Sequence, residues 1–223
     1  MSTPADRIRN LVDANKVSAE EGERLLRAMA PSSGARSPWL LLLNPFDRFG
    51  GERAAVAGLV VSALSLGLAH LGVHFDGALD VHLAPSANRV TFGASLLEQA
   101  AGWLVASLLF WAYARSTSSH VRFVDFLGVV GLSRVLLVGI ALFLVLGPGL
   151  PPDMPTKTVT PALLAHLLVI AAVTLPLLGW FITLLYQGFK NASGLAGGRL
   201  VGGFIGVLLV SEIASKLVLL LPH

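Results

Sequence analysis

The chain has 223 residues, of which 54% are hydrophobic and only 13% charged, with a formal net charge of +3 and no cysteine. A soluble domain carries about 25% charged residues, so this composition excludes an ordinary water-soluble globule and a disordered chain. The missing cysteines exclude a disulfide framework, a thiol nucleophile and thiolate metal ligation. The charge is also unevenly spread. Eight of the 16 basic and seven of the 13 acidic residues fall within residues 1–53. That asymmetry predicts an all-α protein with a short soluble head and a polytopic membrane domain.

Residues 1–33 read as a helical hairpin. Ile8, Leu11 and Val12 recur at helical spacing, and Leu25, Leu26 and Met29 form a second stripe. Between them Ser18 and Glu21 stand at the spacing of a capping box, in which the hydroxyl accepts from the Glu21 amide and the carboxylate returns to Ser18. Val17 stands before it as a weak staple toward Gly22. Two helices of about ten residues are marginal alone, so a partner is expected. RIRNLVDANKVSAEEGERLLRAM resembles the short SHOCT-like hairpins, which implies an interaction or self-association module. The start of the chain, MSTPADRIRN, has no apolar stretch after a basic one, so the N-terminus is expected to stay in the cytoplasm. Residues 34–53 are a linker followed by an interfacial element, since PWLLLLNPFDRF is too short to span.

Five apolar stretches meet the roughly 20-residue length of a helical span, at about 54–75, 95–115, 123–147, 161–187 and 199–221. With the N-terminus inside, twelve Lys and Arg lie on the inner side, and Arg89 and Lys157 are those outside. This bias predicts N-inside and C-outside. The basic residues follow these loops rather than forming one patch, so no nucleic-acid partner is expected. Trp111, Tyr113 and Tyr186 are aromatic anchors near the inner interface. Pro176 should kink the fourth span. Gly198, Gly202 and Gly206 form a small-residue ridge on the fifth. Ala54, Gly58 and Ser62 form a second ridge on the first span. The expectation is that the two pack together or that one meets another subunit.

Ionisable residues inside spans mark a polar cluster in the outer half: Glu98, Arg134, His166, Glu212 and Lys216. Glu212 and Lys216 are spaced i,i+4 for an ion pair. Arg134 has no acid at i±3 or i±4, so a partner from another helix is expected, with Glu212 first and Glu98 second. His70, His74, Asp76, Asp80 and His82 gather at the end of the first span. His70 and His74 at i,i+4 are the candidate metal pair, but no HExxH accompanies them and no metal or other cofactor is expected. No GxSxG elbow occurs, and paired carboxylates are confined to the head, so no enzyme is expected.

Asn44-Pro45-Phe46 before the first span, the five-span N-inside topology and YQGFKNASGLAGGRL after the fourth resemble the bacterial branch of the Yip family, the Rab-interacting integral membrane proteins. Tyr186, Gly188 and Lys190 match its aromatic-plus-Gly-Lys turn, while Ser133-Arg134 stands where the family often has proline. The resemblance covers about residues 38–221. It implies a non-enzymatic scaffold or adaptor in a bacterial inner membrane, recruiting a protein partner through its head. A small transporter or lipid-handling protein using the polar cluster is the alternative.

Overall fold

The computed structural model describes residues 4–14, 16–29, 38–83, 91–117, 120–147 and 160–220. The linker at 31–37, the loop at 148–159, Arg89 and Lys157 lie outside them. The chain forms two compact units, residues 1–38 and 39–223.

The first unit is the hairpin of α1 (Pro4–Asp13) and α2 (Ala19–Met29). The capping box is formed: the Glu21 amide donates to Ser18 Oγ at 3.2 Å, and the Ser18 amide to Glu21 Oε2 at 3.5 Å. Ile8 is buried between the helices. Gly22 packs against Val12 rather than against Val17, because the Val12 methyl occupies the space a Cβ would fill. Leu11 and Leu25 remain exposed.

The second unit is α-helical apart from one two-stranded ribbon among the described residues. A short helix, α3 (Pro38–Leu43), and a 3-10 turn at Pro45–Asp47 precede five helices long and apolar enough to cross a membrane. The first is α4 (Gly51–Ala69). The second, Phe92–Thr117, is α5 (Phe92–Ala100), one π-helical turn (Ala101–Val105) and α6 (Ala106–Thr117). The third, Phe123–Leu146, joins α7 (Phe123–Ser133) to α8 (Val135–Leu146) at Arg134. The fourth and fifth are α9 (Pro161–Ser193) and α10 (Gly197–Leu219). Strands β1 (Val73–His74) and β2 (His82–Leu83) pair antiparallel between α4 and α5.

The first span ends at Ala69, earlier than its hydropathy suggests. Gly72 has φ +90°, which turns the chain out of the helix, and Val73 and Phe75 go into the protein instead of continuing the apolar run. The fourth span runs as one helix through Pro176, whose side chain is exposed.

The tightest packing is between α4 and α7. Gly58 faces Gly131, and Gly128 faces Ala54, so the two backbones approach closely. The ridge on α4 therefore meets α7, not the glycines of α10. Among the described residues nothing lies within 4 Å of where a Cβ would stand on Gly198, Gly202 or Gly206. The glycine that packs on α10 is Gly203, filled by the Tyr113 ring, whose hydroxyl donates to the Arg199 carbonyl at 3.0 Å. The middle of the bundle is aromatic: Phe189 lies 5.2, 6.3 and 6.0 Å from the rings of Phe110, Phe126 and Phe204.

The segment before α4 is fastened to α9. Trp180 Nε1 donates to the Leu42 carbonyl at 2.8 Å. Asn191 donates to Asn44 Oδ1 and Asp47 Oδ1, each at 3.2 Å. Phe46 is buried beside Gly188, where a Cβ would collide with its ring and with Val129. At the same end of the bundle Arg122 holds Asp125 at 2.8 Å and Glu52 at 3.3 Å. The Asp125 carboxylate raises the Arg122 guanidinium above its already high range, first through the hydrogen bond and then through charge.

Candidate functional site

At the opposite end of the membrane domain the segment Val73-His74-Phe75-Asp76-Gly77-Ala78-Leu79-Asp80 enters the bundle. Val73 and Phe75 are fully buried, and Gly77 and Ala78 are buried with them. A non-helical chain inside a membrane protein must find partners for its peptide groups. Here side chains from three helices supply them.

From α5, Glu98 accepts the Phe75 amide at 3.0 Å and faces His74 Nδ1 at 2.8 Å. From α10, Glu212 accepts the Leu79 amide at 2.8 Å, and Ser215 Oγ the Ala78 amide at 3.2 Å. Between α7 and α8, Arg134 donates from Nη1 to the Gly77 carbonyl at 3.4 Å and from Nη2 to Gln99 Oε1 at 3.0 Å. Its guanidinium also lies 5.8 Å from the centre of the Phe75 ring. The Gly77 amide is used locally, donating to the Phe75 carbonyl at 2.8 Å.

Two glycines allow this approach. Gly77 has φ +137°, and a Cβ there would stand 3.0 Å from Glu212 Oε2 and 3.1 Å from Ser215 Oγ. Gly102 lies in the π-helical turn of the second span, with the Gly77 carbonyl and Arg134 Nη1 where its side chain would be. Trp103 in the same turn donates Nε1–H to the Leu127 carbonyl at 2.9 Å, tying the second span to the third.

Four of the five polar residues read from the sequence therefore converge, but with different partners. Arg134 makes no ion pair with Glu212 or Glu98 among the described residues. Each of those carboxylates is turned to a loop amide, and Arg134 serves a carbonyl and Gln99 instead. Glu212 and Lys216 do pair at 3.0 Å, and Lys216 Nζ bridges on to Asp80 at 2.9 Å. His166 makes none of these contacts, and its Nε2 is buried without a hydrogen-bond partner among the described residues. Among the same residues Arg134 Nε and Gln99 Nε2 are likewise buried without one.

The helical histidine pair does not form. With α4 ending at Ala69, His70 is an exposed cap residue while His74 lies in β1. His74 joins a different group. Its Nδ1 is 2.8 Å from Glu98 Oε1 and 3.8 Å from Asp76 Oδ1, and its ring stacks on His82 at 5.4 Å. Ligand atoms of His74, Asp76 and Glu98 lie within 4.8 Å of one another. The three residues line one side of an open cavity of about 460 Å³, whose lining also includes Leu97, Lys216, Leu219 and Leu220. A second, mostly apolar cavity of about 420 Å³ runs beneath Leu79–Leu83, against Ile140, Leu144 and Leu178.

Gln99, Ser215, Gly77 and Gly102 carry no signal in one sequence, since none is charged and each meets a group far away in the chain. The chemistry of the site is thus that of a loop held by charged side chains beside a mouth rich in carboxylate and imidazole. Among protein-family models, curated proteins and solved structures, none matches this chain.

Proposed function

We propose that the chain is a non-catalytic integral membrane adaptor of the Yip type, anchored by its five helices and recruiting a protein partner through the hairpin of residues 1–33. The observation that carries this is the head itself. It is a compact unit of two short helices that leaves Leu11 40% and Leu25 46% exposed. A hairpin of that size buries too little to be rigid alone, so exposed leucines on it suit a partner helix or a second copy. The Yip-type part rests on a spatial coincidence. Asn44 and Phe46, which open the resemblance, pack on Gly188 and Asn191, which close it. The proposed setting is a bacterial inner membrane with the head in the cytoplasm and the clamped loop on the outer face, in line with the lysine and arginine bias.

The engagement of Glu98, Glu212 and Arg134 with the loop backbone favours an anchor over a conduction path. A lipid-handling role is the second reading, and the apolar cavity beneath Leu79–Leu83, with Asp80 and His82 at its lining, favours it. Native mass spectrometry of the protein taken gently from its membrane separates the two. The adaptor reading expects a second polypeptide at fixed stoichiometry, reduced at least tenfold in the Leu11→Glu, Leu25→Glu double variant. A chain carrying only a lipid, unchanged by that double variant, would replace it with the second reading.

A further inference from the structure

We propose that His74, Asp76 and Glu98 form a binding site for one divalent transition-metal cation, of the Zn²⁺ or Mn²⁺ class. The site is independent of the head and of the adaptor reading. Around the clamped loop stand four carboxylates, Asp76, Asp80, Glu98 and Glu212, and two permanent cations, Arg134 and Lys216. Lys216 is committed to Asp80 and Glu212, and Arg134 to the Gly77 carbonyl and Gln99. Among the described residues the cationic partners of Asp76 and Glu98 are histidines, and Glu98 also accepts the Phe75 amide. Glu98 is 5% exposed, and a buried carboxylate is costly unless a cation or hydrogen bonds compensate it.

One imidazole nitrogen and two carboxylate oxygens already lie within 4.8 Å of one another, near the spacing at which they surround a single ion. This donor set suits zinc and manganese, whereas sites for magnesium and calcium are built from oxygen alone. Their third side is the 460 Å³ cavity, which leaves open positions for water, as in metal sites with three protein ligands. The ion takes the place of the Nδ1 proton that a neutral His74 shares with Glu98. A neutral imidazole can carry its proton on Nε2 instead, which leaves Nδ1 free for the ion. Glu98 Oε2 keeps the Phe75 amide while Oε1 turns to the metal.

The experiment uses the full chain in detergent, free of any affinity tag and stripped with a chelator. Zn²⁺ alone and Mn²⁺ alone are titrated calorimetrically, and metal is counted after gel filtration. Wild type should bind one equivalent of at least one of the two ions and unfold at a higher temperature with it. His74→Ala and Asp76→Asn should each weaken that binding at least tenfold, while the metal-free Asp76→Asn variant unfolds within a few degrees of wild type. Among the described residues Asp76 accepts from no backbone amide, so its variant keeps the fold testable. His70→Ala should bind as wild type. No stoichiometric binding by wild type, or binding left unchanged in His74→Ala and Asp76→Asn, would overturn the proposal.

Discussion

Replacing Arg134 with alanine should destabilise the membrane domain more than truncating any other charged side chain in it. The guanidinium is 1% exposed, and its removal strips the Gly77 carbonyl and Gln99 Oε1 of their donors at once. It also takes the positive charge away from a region crowded with carboxylates and leaves a void beside Phe75. Breaking one partner out of a buried charged network costs about 3–5 kcal/mol, a large part of the roughly 5–15 kcal/mol that holds a domain folded. Lys216 provides the contrast. Its side chain is 45% exposed, so Lys216→Ala should cost no more than about 1 kcal/mol. Thermal unfolding in detergent, followed by tryptophan fluorescence, reads both. Moving the charge to position 212 in an Arg134→Glu, Glu212→Arg double variant should not restore stability, because the two side chains serve different backbone groups. An Arg134→Ala protein that unfolds at the wild-type temperature would show that the guanidinium holds nothing.

The second large effect is expected where α4 crosses α7. A Cβ on Gly58 would lie 2.8 Å from the Gly131 Cα, against backbone that has no rotamer to yield. Overpacking by a few methylenes costs about 1–3 kcal/mol in a core that can adjust. Gly58→Leu meets two rigid helices, so it should abolish monodisperse protein on size-exclusion chromatography. Gly202→Leu should not, since nothing lies within 4 Å of its Cβ position, and surface substitutions usually change stability by about 0.5 kcal/mol or less. Tolerance of Gly58→Leu together with collapse of Gly202→Leu would mean that the glycine ridge of α10, not that of α4, packs inside the monomer.

These two predictions mark what the sequence made legible and what it did not. The five spans were readable because a bilayer demands about 20 apolar residues in one run, and such runs announce themselves without any partner. The spacing of Gly198, Gly202 and Gly206 told which helix face permits close approach, but not which face receives a neighbour. That depends on α6 arriving with Tyr113 at Gly203 instead. The loop from Val73 to Asp80 was the hardest to read. Two aspartates and two histidines nearby look like a solvated turn, and only Glu98, Arg134, Glu212 and Ser215, contributed by three separate parts of the chain, bring it inside. Reasoning by charge alone sent Arg134 to a carboxylate. An oxygen of a buried peptide group is an equally good acceptor, and no periodicity records it. The metal candidates shifted for a local reason: one glycine, Gly72, ended the helix that would have set His70 and His74 on one face.

The central claim is that charged side chains fasten a non-helical loop inside the membrane domain. Hydrogen exchange of the amides of Phe75, Ala78 and Leu79 in the detergent-solubilised wild-type protein tests it most directly. With their acceptors at 3.0, 3.2 and 2.8 Å, these amides should exchange as slowly as those of the neighbouring helices, and Glu212→Ala should release Leu79 first. Exchange of all three in wild type at the rate of an open loop would contradict the account.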